Sequence, residues 1–276
     1  MLYDNAQLMS LYAEAYAITN DEAYKNTVYE TFDWLLREMT HDNGGFYSAL
    51  DADSEGVEGL YYVWTKKELE QILGADEKII SDYYGVTTDG NWEHGRNILK
   101  RDGSDKEFLT KHNLHQDDWK VTLKQTKAKL LHHREKRIKP GLDDKIITAW
   151  NAMTVCGLAD AYCVFADEKF LEVALKNIQF VEKELVVGTQ IYRSFRGKRS
   201  ATQGFLDDYA YVIKAQLRLY QVTFDEHWIH RAAEFIQHTL EQFYDPTEGF
   251  FYYTSTNAEA LITRKKEIFD NVIPSS

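Results

Sequence analysis

Four groups of carboxylates punctuate this 276-residue chain at points where a helix is about to begin. They are Asp51, Asp53, Glu55 and Glu58; Asp143 and Asp144; Asp207 and Asp208; and Asp4. Convergent carboxyls suit glycosidic-bond chemistry. One acid keeps its proton for the leaving oxygen, while another, ionised, activates water or attacks the sugar. Asp51 or Asp53 acting with Asp144 or Asp208 is the candidate catalytic set. Asn5, Glu55, Lys145 and Asp207 are candidate polar contacts to a substrate. Trp64, Trp150 and Tyr209 lie near predicted loop ends, where a sugar ring could stack on them. The same aspartates also stand where helix N-caps stand, and capping alone accounts for at least one of each pair.

Other chemistries find less support. The run Asp51-Ala52-Asp53-Ser54-Glu55-Gly56 has the oxygen spacing of a calcium loop, but its twelfth position is Tyr62 and not a bidentate Glu, so no metal is expected. No phosphate loop or dinucleotide fingerprint occurs, so no cofactor is expected. Ser54 and Ser200 lack the Gly-x-Ser-x-Gly context of an acyl-transfer nucleophile. A net charge of −12 argues against a nucleic-acid partner, since phosphate binding needs a basic footprint. No run of apolar residues has the length and flanks of a membrane span. Without a secretory leader, and with Cys156 and Cys163 two helical turns apart and too distant for a disulfide, a reducing, cytoplasmic compartment is expected.

An internal repeat must position these groups. Asn5-Ala6 through Ala15-Tyr16 to Asp21-Glu22-Ala23-Tyr24 aligns without gaps with Asn151-Ala152 through Ala161-Tyr162 to Asp167-Glu168-Lys169-Phe170. Tyr209-Ala210 through Tyr220 to Asp225-Glu226-His227-Trp228 gives a third copy. The first helix of each unit is apolar on nearly every side and the second is one-sided. First helices therefore form an inner layer and second helices an outer one, with Asp-Glu pairs capping the outer helices. Leu11, Tyr12, Met153, Leu158 and Leu217 are expected in the core. Short Gly- and aromatic-rich strands should lead from each outer helix to the next inner one. Every such loop emerges at one end of the layers, so the acidic groups should converge there.

The resulting fold class is all-α, an incomplete (α/α) toroid with short β-hairpins in its outer-to-inner loops. A single domain over residues 1–276 is expected, with hairpins at about 3–40, 65–137, 145–185 and 206–243. Residues 65–137 are read as a degenerate hairpin with a loop inserted at 85–104. Asn271-Val272-Ile273-Pro274-Ser275-Ser276 is read as the lead into another helix. Four hairpins leave a ring of six open, so bare apolar edges near residues 2–11 and after 269 should promote self-association.

The motifs Leu2-Tyr3-Asp4-Asn5-Ala6-Gln7-Leu8, Gly45-Phe46-Tyr47-Ser48-Ala49-Leu50-Asp51-Ala52-Asp53-Ser54-Glu55-Gly56 and Gly204-Phe205-Leu206-Asp207-Asp208-Tyr209-Ala210 carry a family resemblance. So do Tyr62-Val63-Trp64-Thr65 and Asp143-Asp144-Lys145 with Trp150-Asn151. They resemble the helical part of the spermatogenesis-associated, thioredoxin-domain-containing (YyaL-like) family. That resemblance implies a six-hairpin glycosidase-like toroid, preceded in the intact protein by a thioredoxin-like domain that this chain lacks. Sugar epimerases of similar fold use histidines around the axis, and no matching set is present. Two functions stay open. One is a carbohydrate-active domain, glycosidase-like or sugar-modifying, with a small sugar as ligand. The other is a non-catalytic scaffold serving the thioredoxin-like domain.

Overall fold

A computed structural model describes residues 1–259 and 263–274. The chain folds as two compact units, Met1–Ala49 with Leu142–Ser276, and Leu50–Gly141.

The first unit holds three α-hairpins: α1 (Leu2–Thr19) with α2 (Glu22–Glu38), α7 (Thr148–Phe165) with α8 (Glu168–Leu185), and α9 (Leu206–Thr223) with α10 (Glu226–Gln242). α1 packs on α7, α7 packs on α9, and each inner helix packs on its own outer helix. This is the alternating layer arrangement of an (α/α) toroid. The helix most enclosed is α7, whose residues from Thr148 to Ala161 are almost all buried. Gly157 lets α1 approach, because a Cβ there would sit 2.7 Å from the Ala6 carbonyl oxygen. Met153 and Leu158 are buried as expected. Leu11 and Leu217 are not: they are 56% and 37% exposed. An apolar side on an inner helix means burial only where a neighbouring helix is present, and both residues lie on outward faces of the three-hairpin set.

The repeated Tyr-to-Asp spacing has a local explanation. Each inner helix ends on a residue in the left-handed conformation, Asn20 (φ 55°), Ala166 (φ 52°) and Phe224 (φ 56°), whose N–H donates to the carbonyl of Tyr16, Tyr162 or Tyr220. The next residue, Asp21, Asp167 or Asp225, N-caps the outer helix by accepting from the backbone N–H two residues on. Tyr16 and Tyr162 then donate their hydroxyls to Glu22 and Glu168.

Short antiparallel pairs follow the outer helices, Val186–Val187 with Gln190–Ile191 and Tyr244–Asp245 with Phe250–Phe251, and a Thr40–Phe46 bridge replaces them after α2. Strand Ile146–Ile147, leading into α7, pairs with Ser194–Arg196. Residues 271–274 form no helix, with bends at Val272 and Ile273, and Ser275–Ser276 lie outside the described residues.

The second unit is helical too, but the single hairpin expected at 65–137 is four helices: α3 (Lys66–Leu73), α4 (Glu77–Tyr83), α5 (Asp105–His112) and α6 (Gln116–Arg134). Trp64, Leu69, Leu73, Ile80, Tyr83, Trp119 and Leu130 form its core. The capping box of Thr65 and Glu68 starts α3 as its sequence dictates. Burial raises the Glu68 pKa, but hydrogen bonds from Thr65 and the charges of Arg137 and Arg96 outweigh it and hold this carboxyl below its usual value.

The two halves of the repeated turn should respond oppositely to substitution. Phe224 is 78% exposed, so Phe224→Gly removes left-handed strain at small packing loss and should stabilise by about 0.5–1 kcal/mol. Asp225→Ala removes the neighbouring cap and should cost about 0.5–2 kcal/mol. Calorimetric melting of both variants checks the pair of signs.

Candidate acidic site at the starts of the inner helices

Two of the acidic pairs stand in the first unit at or just before the N-terminal ends of the packed helices α7 and α9. Residues 193–196 join them. Arg196 lies 2.7 Å from Asp144, just before α7, and both are well exposed. Arg193 lies 2.8 Å from Asp207 and 2.9 Å from Asp208, in the first turn of α9, where both carboxylates are buried. The Arg193 guanidinium also faces the ring of Phe205, which stacks on Tyr253. The Tyr253 hydroxyl reaches Asp207 at 3.4 Å.

Asp208 has no exposed surface, and both its oxygens are occupied. Oδ1 accepts the Ala149 N–H at 2.9 Å in the first turn of α7, and Oδ2 accepts the Phe205 N–H at 2.9 Å as well as Arg193. It therefore caps two inner helices at once, each by a donor that the helix itself leaves unpaired. Burial, then the neighbouring Asp207 charge, pushes its pKa up to about 7, against the lowering pull of Arg193 and the Phe205 N–H. The same pair of carboxylates holds Arg193 in its charged form, above the ordinary arginine value despite burial. Asp143 is held below the usual carboxylate range: burial raises it, but hydrogen bonds from Ser48 and Lys145 outweigh this.

Tyr211, one turn along α9 from Asp207, belongs to an aromatic cluster contributed by all three inner helices. Trp150 meets Tyr3 edge-on at 4.8 Å, and Tyr211 and Ile273 pack against the same group. Burial raises the Tyr211 pKa, and the charge of Asp207, four residues back on α9, raises it further. Gln7 donates to the Val272 carbonyl, so residues 272–273 lie over this face.

The other candidates have different surroundings. Asn151 and Tyr209 occupy the same repeat position, and both hold the return loop of the preceding hairpin. Asn151 exchanges hydrogen bonds with the Phe46 backbone, and the Tyr209 hydroxyl accepts the Ile191 N–H. Tyr209 is fully buried and stacked on His238, so no ring face is open to a ligand. Asn5, at the equivalent position of α1, donates to Met1. Lys145 pairs with Asp143.

In the second unit, Trp64 is buried with Arg137 lying 4.1 Å over its ring, which likewise leaves no stacking face. Asp51, Asp53 and Glu55 are exposed around the two-stranded turn Asp53–Ser54 with Val57–Glu58. No cluster of three or more His, Cys, Asp or Glu among the described residues could hold a metal ion.

Sequence reasoning missed Arg193, Phe205 and Tyr253. Arg193 sits 14 residues from Asp207, on the far side of a β-turn, and the only available signal was an arginine flanking a predicted hairpin.

The buried pair makes a signed prediction. A carboxyl whose folded pKa is raised binds protons more readily in the native state, so its contribution to stability grows as pH falls from about 7 toward the unfolded value of 3.8. Asp208→Asn should abolish that gain. It should also cost about 1–3 kcal/mol at neutral pH, because whichever way the amide turns, its NH2 faces an N–H donor. Urea unfolding at pH 5 and pH 7.5 measures both effects.

No family model matches the chain. Among curated proteins, spermatogenesis-associated protein 20 of Mus musculus is 31% identical over 313 residues, covering 100% of this chain and 40% of that protein. The Homo sapiens protein of the same name is 31% identical over 314 residues with the same coverage. The chain thus spans 40% of the length of these relatives. Among solved structures, a D-mannose isomerase gives a TM-score of 0.41 at 14% identity, covering 92% of this chain and 63% of that one. A GH76 α-mannanase of Bacteroides thetaiotaomicron gives 0.39 at 12% identity, covering 91% and 64%. Likenesses of that size say nothing about this chain's activity. No helix among the described residues is long and apolar enough to cross a membrane. Over its whole length the chain is thus similar to a part, 40%, of the mammalian spermatogenesis-associated protein 20 sequences.

Proposed function

We propose that the chain is a carbohydrate-active domain, glycosidase-like or sugar-modifying, whose ligand contacts the starts of α7 and α9. One observation carries the reading: the Arg193-clamped Asp207 stands one turn of α9 before Tyr211, which packs with Tyr3 and Trp150. Carboxylates fixed next to aromatic rings are what a sugar needs, because its hydroxyls take hydrogen bonds while its C–H faces lie on rings. In this reading Asp208 is the support that fixes Asp207 and Arg193, since its own oxygens are occupied from behind. Asp144, at the end of α7 that Asp208 caps and open to water, is the carboxyl on this unit best able to meet a substrate or its water.

A second reading is favoured by the same hydrogen bonds. A pair spent on capping two helices and one arginine suits a non-catalytic scaffold, serving a thioredoxin-like domain elsewhere in the whole protein.

Binding and turnover separate the readings. A thermal-shift screen against mono- and disaccharides should raise the melting temperature for some member, by the ordinary linkage of ligand to native state. Asp207→Asn and Trp150→Ala should each weaken that binding at least tenfold, and Asp144→Asn should remove turnover while sparing binding. Asp51→Asn and Asp53→Asn belong in the same screen as the carboxylates of the second unit. A screen with no sugar binding would sink the carbohydrate reading; binding that all five variants leave intact would place the site elsewhere.

A further inference from the structure

A phenol oxygen has one hydrogen to give and two lone pairs with which to accept. At Tyr209, in the first turn of α9, both lone pairs are taken. The Ile191 N–H donates to it at 3.0 Å and the Gln190 Nε2 at 3.1 Å. The hydroxyl's own hydrogen therefore goes to the His238 Nε2, 3.1 Å away. That nitrogen has to be bare, so the imidazole proton sits on Nδ1, which donates to the Thr189 Oγ1 at 3.0 Å. Counting donors in this way assigns His238 one tautomer of the neutral ring.

The bonds cross three elements: Thr189, Gln190 and Ile191 belong to the return hairpin, Tyr209 to α9 and His238 to α10. They also adjoin the charge cluster along the chain. Ile191 stands two residues before Arg193, and Tyr209 directly follows Asp208. The Gln190 Nε2 donates a second time, to the Ile191 carbonyl at 2.8 Å, so one amide fixes both the phenol and the strand.

A charged imidazole carries hydrogen on both nitrogens. Its Nε2–H would meet an oxygen that already holds its own hydrogen and accepts two others. The Tyr209 hydroxyl then has to turn round, accept from His238 and donate elsewhere. The Gln190 amide can receive it only by presenting Oε1 in place of Nε2. That turn sets Oε1 against the Ile191 carbonyl, where a donor stood before, and two acceptors facing each other repel.

We propose that His238 is a pH-sensitive latch on the return strand. Neutral, it holds residues 189–191 between α9 and α10; protonated, it releases them together with the strand that carries Arg193. Burial keeps the His238 pKa below its usual 6.5, against the opposing charge of Glu241 on α10. Its contribution to stability is full above pH 6.5 and is lost as pH falls toward the lower folded value. Asp208 has the opposite sign. From α9 the ring meets Tyr209, whose own pKa burial pushes up to about 12, with the Arg193-held Asp208 next in sequence. Hairpin residues 186–191 carry no charge. On α10, Glu234 is paired with Arg231, which also donates to the Gly188 carbonyl and lies 3.7 Å from Glu182 of α8.

NMR of the full chain between pH 7.5 and pH 5 tests this through imidazole nitrogen shifts and amide exchange. At pH 7.5 the His238 shifts should report a proton on Nδ1. As the ring takes its second proton, protection of the Ile191 and Arg193 amides should fall about tenfold, after correction for intrinsic exchange. His238→Gln offers Tyr209 an amide oxygen in place of Nε2 and cannot titrate, so its protection should hold within about twofold. Asp208 titrates in both chains, so the difference between them belongs to the histidine. A proton on Nε2 at pH 7.5 overturns the inference, and that measurement needs no variant. So does protection that stays level through the histidine titration, or that falls equally in the variant.

Discussion

A single guanidinium, that of Arg193, stands between two carboxylates with almost no access to water. Desolvating three charges is expensive, and the pair attraction alone rarely offsets it. The hydrogen bonds around the cluster change the balance. Asp208 accepts from the first turns of both α7 and α9, donors those helices cannot satisfy internally, and Asp207 accepts from the Asp208 N–H. The positive ends of two 18-residue helices lie against the acidic pair, which lowers the cost of its net charge. Thr148, the first residue of α7, donates to the backbone of Tyr192 and Arg193, so the strand carrying the arginine is stitched to the same point. Two inner helices and a return loop thus depend on one charge cluster for their mutual placement.

With the inner-helix starts fixed there, the other ends are set by the repeated turn. A left-handed residue closes each inner helix and an aspartate opens the outer one, which reverses the chain in three residues. That economy explains why the Tyr-to-Asp spacing survives in all three hairpins while the left-handed position is Asn, Ala or Phe. The geometry is demanded by the connection. The side chain merely tolerates it, at the cost that any residue with a Cβ meets in this conformation.

These local devices were legible in the sequence because each lies within a few residues of its partners. Asp-Glu pairs read as caps, Thr65 with Glu68 read as a capping box, and an apolar helix read as an inner one. What the sequence withheld was non-local. Leu11 and Leu217 have the composition of core residues, yet their exposure depends on whether a helix lies on their side. Trp64 lies at a loop end as a sugar platform would, but Arg137, far along the chain, covers its ring. The acidic pair at α9 was visible as chemistry, whereas the arginine that defines it was hidden in a hairpin. Residues 65–137 fold as four helices because positive-φ residues end α3 at Gly74 (φ 56°) and α5 at Asn113 (φ 52°), and the loop between α4 and α5 separates the two pairs.

The roles of Asp207 and Asp208 follow from a difference of one residue. On a helix, neighbours point about 100° apart, so two adjacent aspartates cannot serve the same side. Asp208 turns back toward α7 and is consumed by the fold. Asp207 meets the Tyr253 hydroxyl, and Tyr211 stands one helical turn further along α9. A capping role for one member therefore does not compete with a chemical role for the other. It supplies the rigidity that the second would need, because a carboxylate held from behind by arginine keeps its position when a ligand arrives in front.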